Sequence, residues 1–114
     1  MLLSSSDTLP GYRIDRHHGL VQGSTVRAKH IGRDLMAGLK KIVGGELFGY
    51  TELLVESREQ CVQRMTEQAE AMGANAIVAV RFSTSSVTDD AAEVLVYGTA
   101  VSVSPLKPGE SALS

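Results

Sequence analysis

The chain has 114 residues, of which 43% are hydrophobic, and this length suits one domain with a single modest core. Its formal net charge is −2, so the sequence lacks the excess of Lys and Arg that a general nucleic-acid binder needs. The single cysteine excludes an internal disulfide bond, and no run approaches the ~20 apolar residues that span a bilayer. These features predict a cytoplasmic protein with no nucleic-acid or membrane partner.

The N-terminal third begins with a polar stretch and then changes to a β-like pattern. Residues 1–10 include three consecutive serines, and we expect them to be loose or only lightly docked. From Tyr12 to Lys29, apolar residues are interrupted by glycines, which indicates either two short strands or one bent strand. A bulge is predicted near His17, His18 and Gly19.

Two helices are predicted next. Residues 31–43 place Leu35, Met36, Leu39, Ile42 and Val43 on one helical face, and Gly44-Gly45 would end this short helix before a connection that runs to Tyr50. The second helix is long: Thr51 can cap its start, and Gly73 can end it in the left-handed conformation. Its apolar face comprises Leu54, Cys61, Val62, Met65, Gln68, Ala69 and Met72.

The segment after Gly73 predicts a β-hairpin. One strand runs from Ala76 to Val87, residues 85–92 hold a loop, and the second strand covers residues 93–103. Because both faces of the second strand are apolar, we expect another copy of the chain to cover the face that the helices leave open, to which we assign Val96 and Val101. Gly98 predicts a close backbone approach, and residues 104–114 are predicted to form a flexible tail.

Together these elements predict the fold class α+β. The unit is β-α-β-β in two layers, with a mainly antiparallel sheet of three to four strands covered on one face by a short and a long helix. One domain spans residues 1–114, and its core spans about residues 9–103.

Several short motifs carry a resemblance to a known family. They occur in the same order over residues 9–103, which makes the set more specific than any single member. The chain resembles the bacterial YbjQ-like family, also called a putative heavy-metal-binding domain. The resemblance implies a dodecin-like subunit that assembles as a homopentamer, and it implies no established activity. The motifs are Arg33-Asp34-Leu35, Ile42-Val43-Gly44-Gly45-Glu46, Tyr50, Arg58-Glu59, Gly73-Ala74-Asn75-Ala76 and Tyr97-Gly98-Thr99-Ala100-Val101.

Metal ligands are sparse. Cys61 has no CxxC partner and is predicted to be a small hydrophobic core residue, while His17 and His18 would point to opposite faces of an extended strand. His30 is predicted to be exposed or to cap the first helix. We therefore predict no metal ion or other cofactor, although a ring could bring one histidine per copy together at its axis.

Three function classes are compatible with the sequence. A homo-oligomeric ring that binds or scaffolds an unidentified small ligand is favoured, because assembly is what the pattern supports. The second is a metal-binding protein with a site at the oligomer axis or interface. The third is an enzyme, for which no catalytic motif is present and no catalytic residue is assigned. Candidate ligand-binding residues, which have an alternative explanation as structural ion pairs, are Arg33, Asp34, Glu46, Tyr50 and Arg58.

Arg58 interrupts the apolar face of the long helix. With about 100° per residue, it falls between Met65 and Ala69 in projection, which predicts a buried guanidinium paired with Asp34 or Glu46. Losing such a pair would cost roughly 3–5 kcal/mol, because the acid would remain buried without a partner.

Overall fold

The computed structural model describes residues 1–28, 42–43, 46–47, 50–88 and 91–111. Six strands and one long helix lie within these ranges. In chain order they are β1 (Leu2–Leu3), β2 (Tyr12–Ala28), β3 (Ile42–Val43), β4 (Glu46–Leu47), α1 (Tyr50–Ala71), β5 (Ala76–Thr88) and β6 (Ala91–Pro105).

The predicted α+β class is confirmed by a four-stranded mixed sheet with α1 packed on one face. The strand order is β1-β5-β6-β2; β1 is parallel to β5, and the other neighbours are antiparallel. The short strands β3 and β4 pair with each other, so the prediction that a first helix continues to Val43 is wrong. The rest of that predicted helix lies outside the described residues. No helix within the described ranges has both the length and the apolarity to span a bilayer.

Strand β2 resolves the alternative left open by the sequence, because it is one long strand with irregular register. The register against β6 shifts between His17 and Gly19, as predicted, and also between Ile14 and Arg16. At the first of these shifts Gly19 has a φ of 124°, which a side chain would disfavour. The bulge therefore bends the strand without ending it.

Helix α1 ends where the sequence predicts. Gly73 has a φ of 88° and its N–H donates to Glu70 O at 3.0 Å, while Ala74 N–H donates to Ala69 O at 3.1 Å. These two bonds form a Schellman motif, and Ala69 and Ala74 are both buried in the same apolar cluster. The motif directs the chain from the helix straight into β5.

The stripe by which α1 contacts the sheet is made of small side chains and one methionine. Ser57, Cys61, Met65 and Ala69 are fully buried, whereas the predicted face residues Leu54 and Met72 are substantially exposed. Four-residue spacing follows one ridge of the helix, and this ridge lies mainly on β2 and β6. Cys61 is in the core, as predicted.

The first nine residues are docked on β5 by backbone hydrogen bonds, so of the two predicted alternatives the loose lead-in is wrong. Residues 2–9, called here the N-terminal strap, run along the outer edge of β5 and then cross the sheet to β2. Leu9 is only 8% exposed, and the turn from Leu9 to Tyr12 is closed by Tyr12 N–H donating to Leu9 O at 3.0 Å. Gly11 supplies the positive φ of 84° that a type II turn requires after proline.

The strap also covers part of the sheet's second face, the one opposite α1. Leu9 joins a buried cluster on that face with Ala76, Val78, Val101 and Val103, so the chain itself covers this end of the sheet. Val96 lies on the opposite, helix-covered face, in the cluster with Met65. Both Val96 and Val101 are 0% exposed, which contradicts their assignment to an uncovered face.

Two further boundaries differ from the predictions. The hairpin strands extend to Thr88 and from Ala91, so most of the predicted loop at residues 85–92 is strand. Paired backbone groups allow this polar stretch to extend without an apolar pattern. The C-terminal segment is also docked as far as Glu110: Leu106 N–H donates to Gly11 O, and Glu110 pairs with Arg13 at 2.9 Å.

Candidate functional site

The candidate site is an open groove between the N-terminal half of α1 and β5. Its volume is about 560 Å³, within the size range of small-ligand sites. The helix forms one wall, and Phe82 of β5, which is 50% exposed, forms the other. We call this surface the helix-side groove; it is lined by Val55, Arg58, Glu59, Val62, Gln63 and Phe82.

Arg58 lies in this groove and is exposed, so the prediction of a buried guanidinium is wrong. That prediction treated the same side of the helix as facing the sheet along its whole length. Positions four apart drift by about 40° on a straight helix, and the contact stripe follows that drift from Ser57 to Ala69. At the level of Ser57, Arg58 is rotated by about 100° away from the sheet.

The other predicted ligand-binding residues are not assembled around Arg58 by the described structure. Arg33 and Asp34 lie outside the described residues. Glu46 is in β4, where it is the register partner of Val43, and Tyr50 is the first residue of α1. The side chains of Glu46 and Tyr50 lie outside the described part, and no ion pair of Arg58 occurs among the described residues.

Phe82 lines the groove but was not among the site residues predicted from the sequence. It is a large apolar residue within a strand segment of Arg, Ser and Thr. That contrast is a usable signal, because an isolated aromatic residue in an otherwise polar strand is suited to a binding surface.

We expect Arg58→Ala to change the free energy of unfolding by less than about 0.5 kcal/mol, because an exposed side chain without a described partner contributes little. Urea unfolding followed by circular dichroism would measure this, with Arg58→Lys as the charge-conserving control. A loss of 3 kcal/mol or more in Arg58→Ala would restore the buried-pair hypothesis.

The candidate metal ligands are separated. Cys61 Sγ donates to Val94 O at 3.1 Å inside the core, and His18 Nε2 lies 2.6 Å from Ser102 Oγ. His17 is exposed on β2, and His30 lies outside the described residues. Among the described residues, no group of three His, Cys, Asp or Glu side chains could hold a metal ion.

The described ion pairs lie at the other end of the sheet. Arg13 contacts Asp15 and Glu110, each at 2.9 Å, and also donates to Ser104 Oγ at 3.3 Å. The hydrogen bond from Arg13 lowers the pKa of Asp15, with a further contribution from Ser104. This exposed cluster joins the C-terminal segment to β2, so its role is structural.

Comparison with known proteins decides the family. A family model with the description "putative heavy-metal-binding" matches residues 1–104. The chain belongs to the YbjQ family. This YbjQ protein is 62% identical over 101 residues to a UPF0145 protein of Hahella chejuensis, covering 89% of this chain and 97% of that relative. A UPF0145 protein of Thermus thermophilus is 52% identical over 107 residues, which cover 94% of each chain.

A solved structure shares the fold of this YbjQ protein. It is a DUF74 family protein of unknown function from Pediococcus pentosaceus, with a TM-score of 0.61 and 14% sequence identity. The alignment covers 91% of this chain and 98% of that one, so the architecture corresponds over almost its whole length.

The family description raises the question whether a heavy-metal ion fits this chain. A transition-metal site needs several His, Cys or carboxylate ligands within about 2.0–2.3 Å of the ion. His18 instead bonds to Ser102, Cys61 bonds to a backbone carbonyl in the core, and His17 is exposed, so the described part of a single YbjQ subunit does not fit a metal.

We expect a chelator to leave the thermal midpoint unchanged, because no described residue would lose a ligand bond. A structural metal contributes folding free energy that its removal must take away. Differential scanning calorimetry with and without EDTA checks this. A large fall in midpoint that zinc or nickel restores would contradict it, and His17→Ala, His18→Ala and His30→Ala would then locate the ligands.

Proposed function

We propose that this YbjQ protein is a ring-forming binding or scaffolding protein whose copies associate head to tail. The observation that carries the proposal is a pair of exposed apolar surfaces on opposite faces of one sheet. The first is the helix-side groove, with Val55 at 39% and Phe82 at 50% exposure. The second is formed by Leu20, Val26 and Tyr97, which are 67%, 58% and 38% exposed.

This second surface, here called the sheet-side patch, lies on the face of the sheet opposite α1, because side chains alternate between the two faces along each strand. Val21, Thr25, Val94 and Val96 are buried, and Val21 and Val96 pack in the helix-side core. Residues adjacent to these along β2 and β6 point to the opposite face. The sheet also extends beyond its helix: 17 residues of β2 span roughly 55 Å, whereas 22 residues of α1 span roughly 33 Å.

Two different surfaces on opposite faces favour a heterologous contact. In a two-fold dimer the same patch meets itself, so one of these surfaces would remain exposed. If the groove of one copy contacts the patch of the next, every copy offers one of each surface, and the contacts form a ring when the rotation between neighbours closes. Five copies is the number that the resemblance to the YbjQ family implies. In such a ring the groove with Arg58 lies at every subunit boundary, where a small ligand could bind.

Light scattering coupled to size-exclusion chromatography tests the ring. We expect the wild-type protein at micromolar concentration to have a mass of five times the 12.1 kDa chain. Phe82→Glu removes the groove contact and Leu20→Glu removes the patch contact, so each variant alone should be monomeric, because a desolvated charge is costly at an interface. Met72→Glu is the matched control, since Met72 is 41% exposed but belongs to neither surface.

The mixture of the two variants is the decisive sample. Phe82→Glu keeps an intact patch and Leu20→Glu keeps an intact groove, so an equimolar mixture should form heterodimers of twice the chain mass and nothing larger. A two-fold dimer would instead persist in one of the variants. A wild-type protein that is a stable monomer would overturn the proposal.

A further inference from the structure

The N-terminal strap is attached to the outer edge of β5 almost entirely by backbone hydrogen bonds. Leu2 N–H donates to Asn75 O at 3.2 Å, and Ser4 N–H donates to Ile77 O at 2.9 Å. In return, Val80 N–H donates to Ser4 O at 3.0 Å. Backbone groups are common to all residues, so this edge recognises an extended chain rather than a particular sequence.

A bulge in β5 shapes the attachment point. The register against β6 shifts between Val78 and Arg81, and Ala79 between them has a φ of 55°, which is uncommon for a residue with a side chain. The bulge presents consecutive donors to the strap: Ala79 N–H bonds to Ser6 O at 2.9 Å, and the Arg81 guanidinium bonds to Ser5 O. Three successive serine carbonyls of the strap are therefore bound by one donor cluster.

Leu2 and Leu3 contribute little to the attachment. Their side chains are 40% and 42% exposed, although their backbones are paired with β5. Two exposed leucines on an edge strand are a surface that proteins normally cover. Leu9 is the one large strap side chain that is buried.

We propose that the β5 edge is a strand-addition site that receives the N-terminal strap of a neighbouring copy. This inference rests on the proposed ring, and it adds that each subunit is completed by residues 2–9 of the next. The exchanged strap makes the same backbone bonds to β5 and carries Leu9 into the neighbour's second-face cluster. Its leucines then lie at the boundary between two copies, where they are covered.

The hinge for this exchange is the turn from Leu9 to Tyr12. One hydrogen bond, from Tyr12 N–H to Leu9 O, closes this turn, and Gly11 has the positive φ that the turn requires. Apart from its chain neighbours, no residue lies within 4 Å of the position of a Cβ on Gly11, so Gly11→Ala changes the turn through its φ and not through a clash. Opening the turn gives up the bond from Tyr12 N–H to Leu9 O and moves Gly11, whose carbonyl accepts from Leu106 N–H, while the bonds along β5 are identical in the closed and exchanged forms.

Disulfide trapping tests where the strap binds. Leu2 and Ala76 are register partners, so Leu2→Cys on one chain and Ala76→Cys on another can bond only if the strap crosses between copies. Both chains carry Cys61→Ala, which removes the natural thiol. The two proteins are unfolded together, refolded, oxidised and run on a non-reducing gel, with light scattering on the same samples.

We expect a covalent dimer from the mixture, and more of it when both chains also carry Gly11→Ala, which penalises the closed turn. Leu2→Cys mixed with Glu67→Cys is the matched control and should give no dimer, because Glu67 is exposed on α1 and belongs to neither contact surface. A second sample is a single chain that carries both Leu2→Cys and Ala76→Cys. If only this sample forms the disulfide, within one chain, while light scattering still shows a ring, the exchange is overturned and the ring stands. If neither sample bonds, the strap does not occupy the β5 edge and the inference also fails. A monomeric wild type would instead overturn the ring itself.

Discussion

Val96→Asp is expected to leave the single subunit unfolded rather than merely unable to assemble. Val96 is 0% exposed and packs with Val21, Cys61 and Met65 between the sheet and α1. An aspartate there would place a carboxylate in an apolar cluster, at a cost of several kcal/mol. Since small domains are stable by only about 5–15 kcal/mol, this one change consumes much of that margin.

Tyr97→Asp is the comparison that separates folding from assembly. Tyr97 follows Val96 on β6 but is 38% exposed in the sheet-side patch. Far-ultraviolet circular dichroism should show a folded protein for Tyr97→Asp and an unfolded one for Val96→Asp, while light scattering should show that Tyr97→Asp has lost the ring. A folded, monomeric Val96→Asp would mean that this side chain faces a partner instead of the core.

The elements that the sequence predicts best are those specified by local signals. The end of α1 follows from Gly73, because only a residue without a Cβ adopts that φ at no cost and the Schellman bonds then form. The β2 bulge follows similarly from Gly19 beside two histidines. The fold class follows because one long amphipathic helix between β-like segments leaves few ways to bury its face.

The N-terminal strap could not be predicted, because backbone bonds leave no pattern in the sequence. Its serines look like a solvated lead-in, yet their carbonyls bind Ala79, Val80 and Arg81. The face assignment of Val101 failed for the same reason, since the residue that covers this region, Leu9, belongs to the strap. Long-range contacts made by one isolated apolar residue carry no periodic signal.

The candidate site was predicted only in part, because burial on a helix depends on where the helix crosses its sheet. Arg58 is in the groove, but as an exposed residue, because the contact stripe runs obliquely. Phe82 comes from β5 and meets α1 only through the tertiary fold. No spacing in the sequence relates it to Val55 or Val62.

Gly23→Ala is expected to be the most damaging glycine-to-alanine change among the glycines that the structure describes. Gly23 lies on β2 where α1 crosses it, and a Cβ there would be 2.0 Å from Cys61 O and 2.7 Å from Met65 N. These two atoms are four residues apart on α1, so they belong to one hydrogen-bonded turn of the helix. The obstacle is backbone, which cannot rotate away as a side chain can.

The helix must therefore move off the sheet, and the apolar stripe from Ser57 to Ala69 loses its close packing. Overpacking of a well-packed core typically costs 1–3 kcal/mol, and we expect about 3 kcal/mol here because backbone is displaced. For a domain of this size the midpoint of thermal unfolding should fall by roughly 10 °C or more. Calorimetry or circular dichroism measures it directly.

Two neighbouring substitutions make the result specific. Ser24→Ala, the next position on the same strand, should shift the midpoint by less than about 2 °C, because Ser24 is directed away from α1. Gly98→Ala should have an intermediate effect, since its closest obstacle is a side-chain methyl, Ile77 Cγ2 at 2.7 Å, and the nearest backbone atom, Val78 O, lies at 3.0 Å. Because α1 rests directly on the backbone of β2, the order of destabilisation should be Gly23→Ala, then Gly98→Ala, then Ser24→Ala. A Gly23→Ala variant as stable as Ser24→Ala would show that α1 does not rest on β2 in solution.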